Sequence, residues 1–280
     1  MSRNDINRVG GAHEQADPPV ANNEGTFDPL SFVAPTEFVE LPSKGICYPE
    51  GHPLHGEETI EIKFMTAKEE DILSSRALLK RGIAIERFLQ SIIVNKKIKA
   101  KDLLVGDRNA ILIASRASGY GNIYETKVSC PACSEKCDLA FDLLDKKTKE
   151  TEINENFSSL GNGTFSTKMP FSKFTTVFRL LNGEDETYLA KASTMKKKNY
   201  SMDSVLTEQY NRMIVSIEGH SDRSIVSRYV NAMPTLDSTH LRKCYKVATP
   251  DVNITQNFEC SSCGHEQEIE VPFGADFFWP

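Results

Sequence analysis

Apolar residues change period several times along the chain, and each change marks a predicted element. Phe38-Val39-Glu40-Leu41-Pro42-Ser43-Lys44-Gly45 predicts an extended segment running into a turn. In Glu57 to Phe64 the residues Ile60, Ile62 and Phe64 alternate with polar ones, the period of a half-buried strand. From Thr66 the period lengthens to that of a helix, with Ile72, Leu73, Leu78 and Leu79 inward as far as Lys80, and Gly82 just past the end. Thr66-Ala67-Lys68-Glu69 is a capping box, in which threonine and glutamate satisfy backbone donors left free at a helix start. A second helix is predicted from Ile83, with Ile83, Ile85, Phe88, Leu89, Ile92 and Ile93 on its apolar face. A third runs from Asp107 as N-cap through Ile111 to Ser118, with Gly119 as its stop.

The period returns to two around two cysteine pairs. Ile123 to Val128 leads into Cys130-Pro-Ala-Cys133 and Leu139 to Leu143 leaves it, so the pair caps a hairpin. Val252 to Phe258 and Ile269 to Phe273 flank Cys260-Ser-Ser-Cys263 in the same layout, with Gly264 where the turn needs a positive φ. Between the hairpins, Asn154 to Gly163 reads as a loop and Thr164 to Phe178 as one or two strands. Asn182 to Glu186 reads as a turn, and Lys191 to Asn199 as solvated surface carrying Lys196-Lys197-Lys198. Helices are predicted from Met202 to near Gly219, from Asp222, and from Asp237 to a stop at Pro250. Residues 1–35, rich in Asn, Gly, Pro and acidic side chains, read as a flexible tail.

The expected architecture is α+β. A helical core over about 66–118 packs with short antiparallel β-hairpins, and the halves 123–143 and 252–273 pair as a four-cysteine, zinc-ribbon-like clamp. A strand and helix region over about 164–248 is inserted between them, and 36–280 form a single domain.

Two residues between cysteines let both sulfurs of a turn face one point, so Cys130, Cys133, Cys260 and Cys263 have the makings of a tetrahedral Zn²⁺ site. Four thiolates make a closed, structural site, whereas a catalytic zinc keeps a position for water. Cys137 and His265 lie close enough in sequence to substitute as ligands; Cys47 and Cys244 lack partners at metal spacing and read as small core residues. The remaining histidines fall in no HExxH motif and no GxxxxGK[ST] loop occurs, so no enzymatic chemistry is selected.

Composition narrows the partners. With 280 residues, 39% hydrophobic, and a net charge of -6, the chain has a core but no basic excess for a nucleic-acid footprint. No signal peptide and no membrane span is expected, which points to a cytoplasm and reduced thiols, in keeping with an odd count of seven cysteines.

The order of several short motifs carries a resemblance. Phe38 to Gly45 with Tyr48-Pro49, Phe64-Met65-Thr66-Ala67-Lys68-Glu69-Glu70-Asp71-Ile72-Leu73, Leu104-Val105-Gly106-Asp107-Arg108, Ser115-Arg116 with Tyr120-Gly121, the two cysteine turns and the final Phe277-Phe278-Trp279-Pro280 follow in sequence. Over about 36–280 this resembles the baseplate hub assembly family of T-even type contractile-tailed bacteriophages. The resemblance implies a non-enzymatic protein that builds the baseplate hub, as an assembly chaperone or a hub component. It would act in the host cytoplasm during assembly or remain in the virion, bind hub or tail proteins, and involve neither nucleic acid nor membrane. The expected partner surface is the extended Leu41-Pro42-Ser43-Lys44-Gly45 segment with the helices from Thr66 to Ser118, and Leu41, Pro42, Lys44, Gly45, Ile72 and Leu73 as its named residues; the alternative is that the same residues form the core. The competing reading is a zinc-ribbon module that binds nucleic acid or regulates; the acidic balance favours the first.

Overall fold

The computed structural model describes residues 35–198, 205–271 and 275–278. Its architecture is α+β, with helices packed among small antiparallel sheets. β1 (Thr36–Glu40) pairs with β2 (Thr59–Lys63), and the helices α1 (Ala67–Ser74), α2 (Arg76–Arg81), α3 (Ala84–Ile92) and α4 (Val105–Tyr120) follow. β3 (Ile123–Ser129) and β4 (Lys136–Asp142) form the first cysteine hairpin, and β5 (Lys147–Lys149) lies next. β6 (Phe157–Gly161), β7 (Thr164–Lys168) and β8 (Thr175–Arg179) lead to α5 (Gly183–Lys198) and α6 (Val205–Met213). β9 (Ile214–Ile217) completes a four-stranded sheet in the order β6-β7-β8-β9. Then come α7 (Arg223–Ala232), α8 (Thr235–Ala248), β10 (Asp251–Asn253) and the second cysteine hairpin, β11 (Thr255–Glu259) with β12 (Glu266–Glu270).

One core joins the early strands to the helices. Val39, Ile60 and Ile62 from the first sheet are buried with Phe88, Leu89 and Ile92 of α3 and Ile111 and Ile113 of α4. Phe277 and Phe278 close this core: Phe278 meets Phe88 edge-on at 5.0 Å, and Phe277 meets Tyr124 at 5.0 Å. Buried Arg116 fixes the segment by donating Nε–H to the Phe277 carbonyl at 3.0 Å. In the four-stranded sheet Phe165 and Phe178 stack at 5.4 Å, and Phe157 meets both edge-on at 5.7 and 6.1 Å. Each such ring removed from water contributes roughly 1.5–3 kcal/mol.

The loop from Leu41 to Glu58 turns inward rather than outward. The Asp107 carboxylate accepts from the Ser43 backbone N–H at 2.9 Å, the Ser43 hydroxyl at 2.6 Å and the Tyr48 hydroxyl at 2.8 Å. The Tyr48 oxygen in turn accepts from the Leu104 N–H at 3.1 Å, so the loop is bolted to the start of α4. Gly45, at φ 71°, passes so close to the chain that a Cβ would stand 2.4 Å from the Glu57 nitrogen. Gly106 is tighter: a Cβ would sit 2.0 Å from the Pro250 carbonyl oxygen, where β10 crosses α4. Asp107 is therefore not the N-cap expected of it. Leu104 holds that position and Asp107 lies buried in the first turn.

Other expectations shift for physical reasons. The helix expected over 66–80 breaks at Ser75, which is extended (φ -63°, ψ 104°) and accepts from the Leu78 N–H as the cap of α2. The expected loop 154–163 contains β6, whose outward Ser158, Ser159 and Leu160 hide its pairing with β7. The stretch from Asn182, expected as a turn followed by polar sequence, is helical instead: α5 runs from Gly183 to Lys198, opened by Asn182 and Asp185, which bond each other's backbone N–H. The helix expected from Met202 to Gly219 ends at Met213, and Ile214–Ile217 become an edge strand because Val177 and Phe178 offer them a partner. Met202, residues 1–34 and Trp279-Pro280 lie outside the described residues.

Candidate metal centre

The two cysteine turns are built alike. Six residues separate Ser129 from its cross-strand partner Lys136, and six separate Glu259 from Glu266, so the first cysteine of each pair follows directly on a strand. The Cys130 N–H donates to the Glu135 carbonyl at 2.7 Å, and the Cys260 N–H to that of His265 at 2.9 Å. The fifth residue of each turn is left-handed, Ser134 at φ 63° and Gly264 at φ 67°, and its N–H returns to the carbonyl of the first cysteine. Beneath them Val128 and Phe258, each two residues before a first cysteine, are buried in a small apolar cluster with Cys130, Cys137 and Cys260.

The second hairpin is shorter than expected. Val252 belongs to β10, which pairs with β5, and the chain changes partner at Ile254 before entering β11. This switch carries the second turn from the helical core to the first turn.

The sulfurs of Cys130, Cys133, Cys260 and Cys263 all lie within 4.8 Å of one another. Cys130 Sγ is 3.7 Å from Cys263 Sγ, and Cys133 Sγ is 3.6 Å from Cys260 Sγ. A disulfide needs about 2.05 Å, so these are four free thiols. Around a tetrahedral Zn²⁺ with Zn–S bonds of about 2.3 Å, neighbouring sulfurs stand about 3.8 Å apart, and the donor set fits that size. The first cysteine of each pair is buried and the second exposed.

Charge within the group is unevenly shared. The Cys260 thiol is lowered to about 6 by the backbone N–H groups of Ser262 and Cys263. At Cys133 the Glu135 backbone N–H favours the thiolate, but hydrogen bonding to Cys263 and the other thiols outweighs it and pushes the group up to about 12. A divalent ion at the centre would favour the thiolate form of its ligands, since coordinated thiols are deprotonated outright.

Neither alternative ligand is among the four mutually close donors. Cys137 Sγ is 3.9 Å from Cys260 Sγ, but its strand position pairs it with Val128 and it packs in the apolar cluster. His265 turns its Nε2 to Gln267 Oε1 at 3.3 Å. Cys47 and Cys244 are buried elsewhere, and burial raises both thiols, the opposite of what an activated nucleophile needs.

The expected partner surface is mostly interior. Leu41, Pro42, Gly45 and Leu73 are buried and Ile72 packs against the core; only Lys44 is exposed, 2.6 Å from Glu150. Leu41, Pro42 and Gly45 are held inward where Asp107 draws Ser43 and Tyr48 to α4, whereas Ile72 and Leu73 lie on α1, which packs against α3. A buried carboxylate 64 positions away leaves no local signal in the sequence, so the anchor was not foreseeable from spacing.

No helix among the described residues is long and apolar enough to cross a membrane. No curated protein and no solved structure matches the chain. Residues 36–279 do match a family model, that of the T4 bacteriophage base plate protein. Those residues hold both cysteine turns, the Ser43–Asp107 anchor and the closing phenylalanines. The chain belongs to the T4 bacteriophage base plate protein family.

Proposed function

We propose that this chain is a non-enzymatic protein of the baseplate hub, acting in its assembly, and that one structural Zn²⁺ held by Cys130, Cys133, Cys260 and Cys263 braces it. The observation that carries the reading is the four-sulfur group of tetrahedral size inside a chain whose family builds baseplates. When bound, the ion would supply cohesion rather than chemistry, because four protein sulfurs leave no place for water. Metal affinity in such a site is folding free energy, so the ion would join two hairpins whose first cysteines are 130 positions apart. On this reading residues 36–280 act as one body in the host cytoplasm, presenting a fixed surface to hub or tail proteins.

The net charge of -6 supports protein rather than nucleic-acid partners. Tight binding of DNA or RNA at physiological salt in a gel shift would count against the proposal. Its main test is genetic and biochemical. Phage lacking the chain should fail to complete baseplates, and quantifying the polypeptide in purified particles separates component (present) from assembly factor (absent). Normal tails without the chain would overturn the reading.

A further inference from the structure

The loop between β7 and β8, Met169 to Phe174, is held more firmly than a surface turn needs to be. Asp237, fully buried at the start of α8, accepts the Phe171 N–H at 2.7 Å on one carboxylate oxygen and the Ser172 N–H at 3.1 Å on the other. The Ser172 hydroxyl lies 3.4 Å from that of Tyr229, which is itself 3.5 Å from Asp237. The Met169 N–H donates to the Phe174 carbonyl at 2.9 Å, and Lys173 takes a left-handed φ of 63°. Burial opposes the Asp237 charge, yet the Phe171 and Ser172 N–H groups outweigh it and hold the carboxyl below its usual range. The outward product of this bracing is two aromatic rings. Phe171 is 66% exposed and Phe174 43%, with Leu236, beside Asp237, at 57%.

We propose that this braced turn is a docking knob for a protein partner, entering an apolar pocket ringed by acidic side chains. The proposal rests on the assembly reading above and names the surface that such a protein would use. Aromatic anchors dominate protein interfaces, and a knob fixed before contact avoids the ordering cost of a flexible one. Charge indicates the rim: Lys168 and Lys173, both exposed, flank the rings, and these two ammonium groups outnumber the exposed Glu218 carboxylate, which accepts from the Thr175 N–H at the base of the turn. A lipid surface would be served by any exposed apolar residues. The hydrogen bonds that impose one turn geometry favour a shaped partner instead. Strained and over-determined turns of this kind gather at functional sites.

The test uses the phage that encodes the chain, with the full-length protein supplied as variants. F171A/F174A is expected to lower infectious particles at least tenfold, with melting temperature and zinc content unchanged. K168E/K173E should lower the yield in the same direction. A photo-cross-linker placed at Phe171 is expected to join the chain to another tail protein during infection. Full yield from F171A/F174A overturns the inference. So does a cross-link only to a second copy, or F171A/F174A-sensitive sedimentation with phosphatidylglycerol vesicles. A phage without the chain that still builds tails overturns the assembly reading itself. If that phage fails and F171A/F174A restores it fully, only the docking knob is lost.

Discussion

Glu69 shows how much one legible residue can carry. Its carboxylate accepts from the Thr66 N–H at 3.1 Å and the Thr66 hydroxyl at 2.5 Å, and pairs with Lys63 at 3.0 Å. Burial works against the charge, but the Thr66 hydroxyl and Lys63 outweigh it and hold the group at about 2, below its ordinary 4.5. A depressed carboxyl stabilises the fold above its unfolded pKa and loses that effect as pH falls through its folded one. Glu69→Gln should therefore cost about 2 kcal/mol at neutral pH, with the difference shrinking between about pH 4.5 and 2. Denaturant melts of both proteins across that range would show it. The cysteine turns offer a second contrast at this scale. A Cβ on Gly264 meets nothing within 4 Å, so only its positive φ opposes a side chain. Gly264→Ala should cost about 1–2 kcal/mol, while Ser134→Gly at the matching position should be neutral or stabilise by up to about 1 kcal/mol. Melting of the two variants side by side checks the claimed equivalence of the turns.

Among elements, the parts read most easily are those whose signals are local. The capping box at Thr66, the Gly82 stop at φ 66°, the Asp222 cap of α7 and both cysteine hairpins were legible because each rests on neighbours within a few residues. The residues misread owe their state to distant partners. Ile214–Ile217 are a strand because β8 lies alongside, and β6 exists because β7 accepts it. Leu41 to Gly45 and Leu104 to Arg108 look like two unrelated motifs, yet they are two halves of one lock: Ser43 and Tyr48 on one side, Asp107 and the close-packed Gly106 on the other. Asp107→Ala should accordingly destabilise by about 2–4 kcal/mol, since it strands the Ser43 and Tyr48 donors in the interior. Ser43→Ala combined with Asp107→Ala should cost less than the two losses summed, and a double-mutant cycle measured by denaturant would detect the coupling.

On the scale of the whole molecule, the candidate site was more legible than the body around it. Spacing alone nominated the four cysteines, because ligand chemistry fixes two residues between sulfurs. It did not indicate the route by which the second turn reaches the first, through β10 pairing with β5 and the change of partner at Ile254. Nor did it indicate the outward surface: Phe171 and Phe174 are exposed on a turn whose Phe171 and Ser172 N–H groups are held by the distant Asp237, which no local pattern announces. In the proposed function the four sulfurs hold one ion and act as a single brace between distant parts of the chain. X-ray absorption at the zinc edge of the purified full-length protein tests this most directly, read with metal content per chain. One zinc with four sulfurs at about 2.3 Å, lost in both Cys130→Ser and Cys260→Ser together with thermal stability, is the predicted result. A chain that binds no zinc, or one whose metal content and melting temperature survive both substitutions, would contradict it.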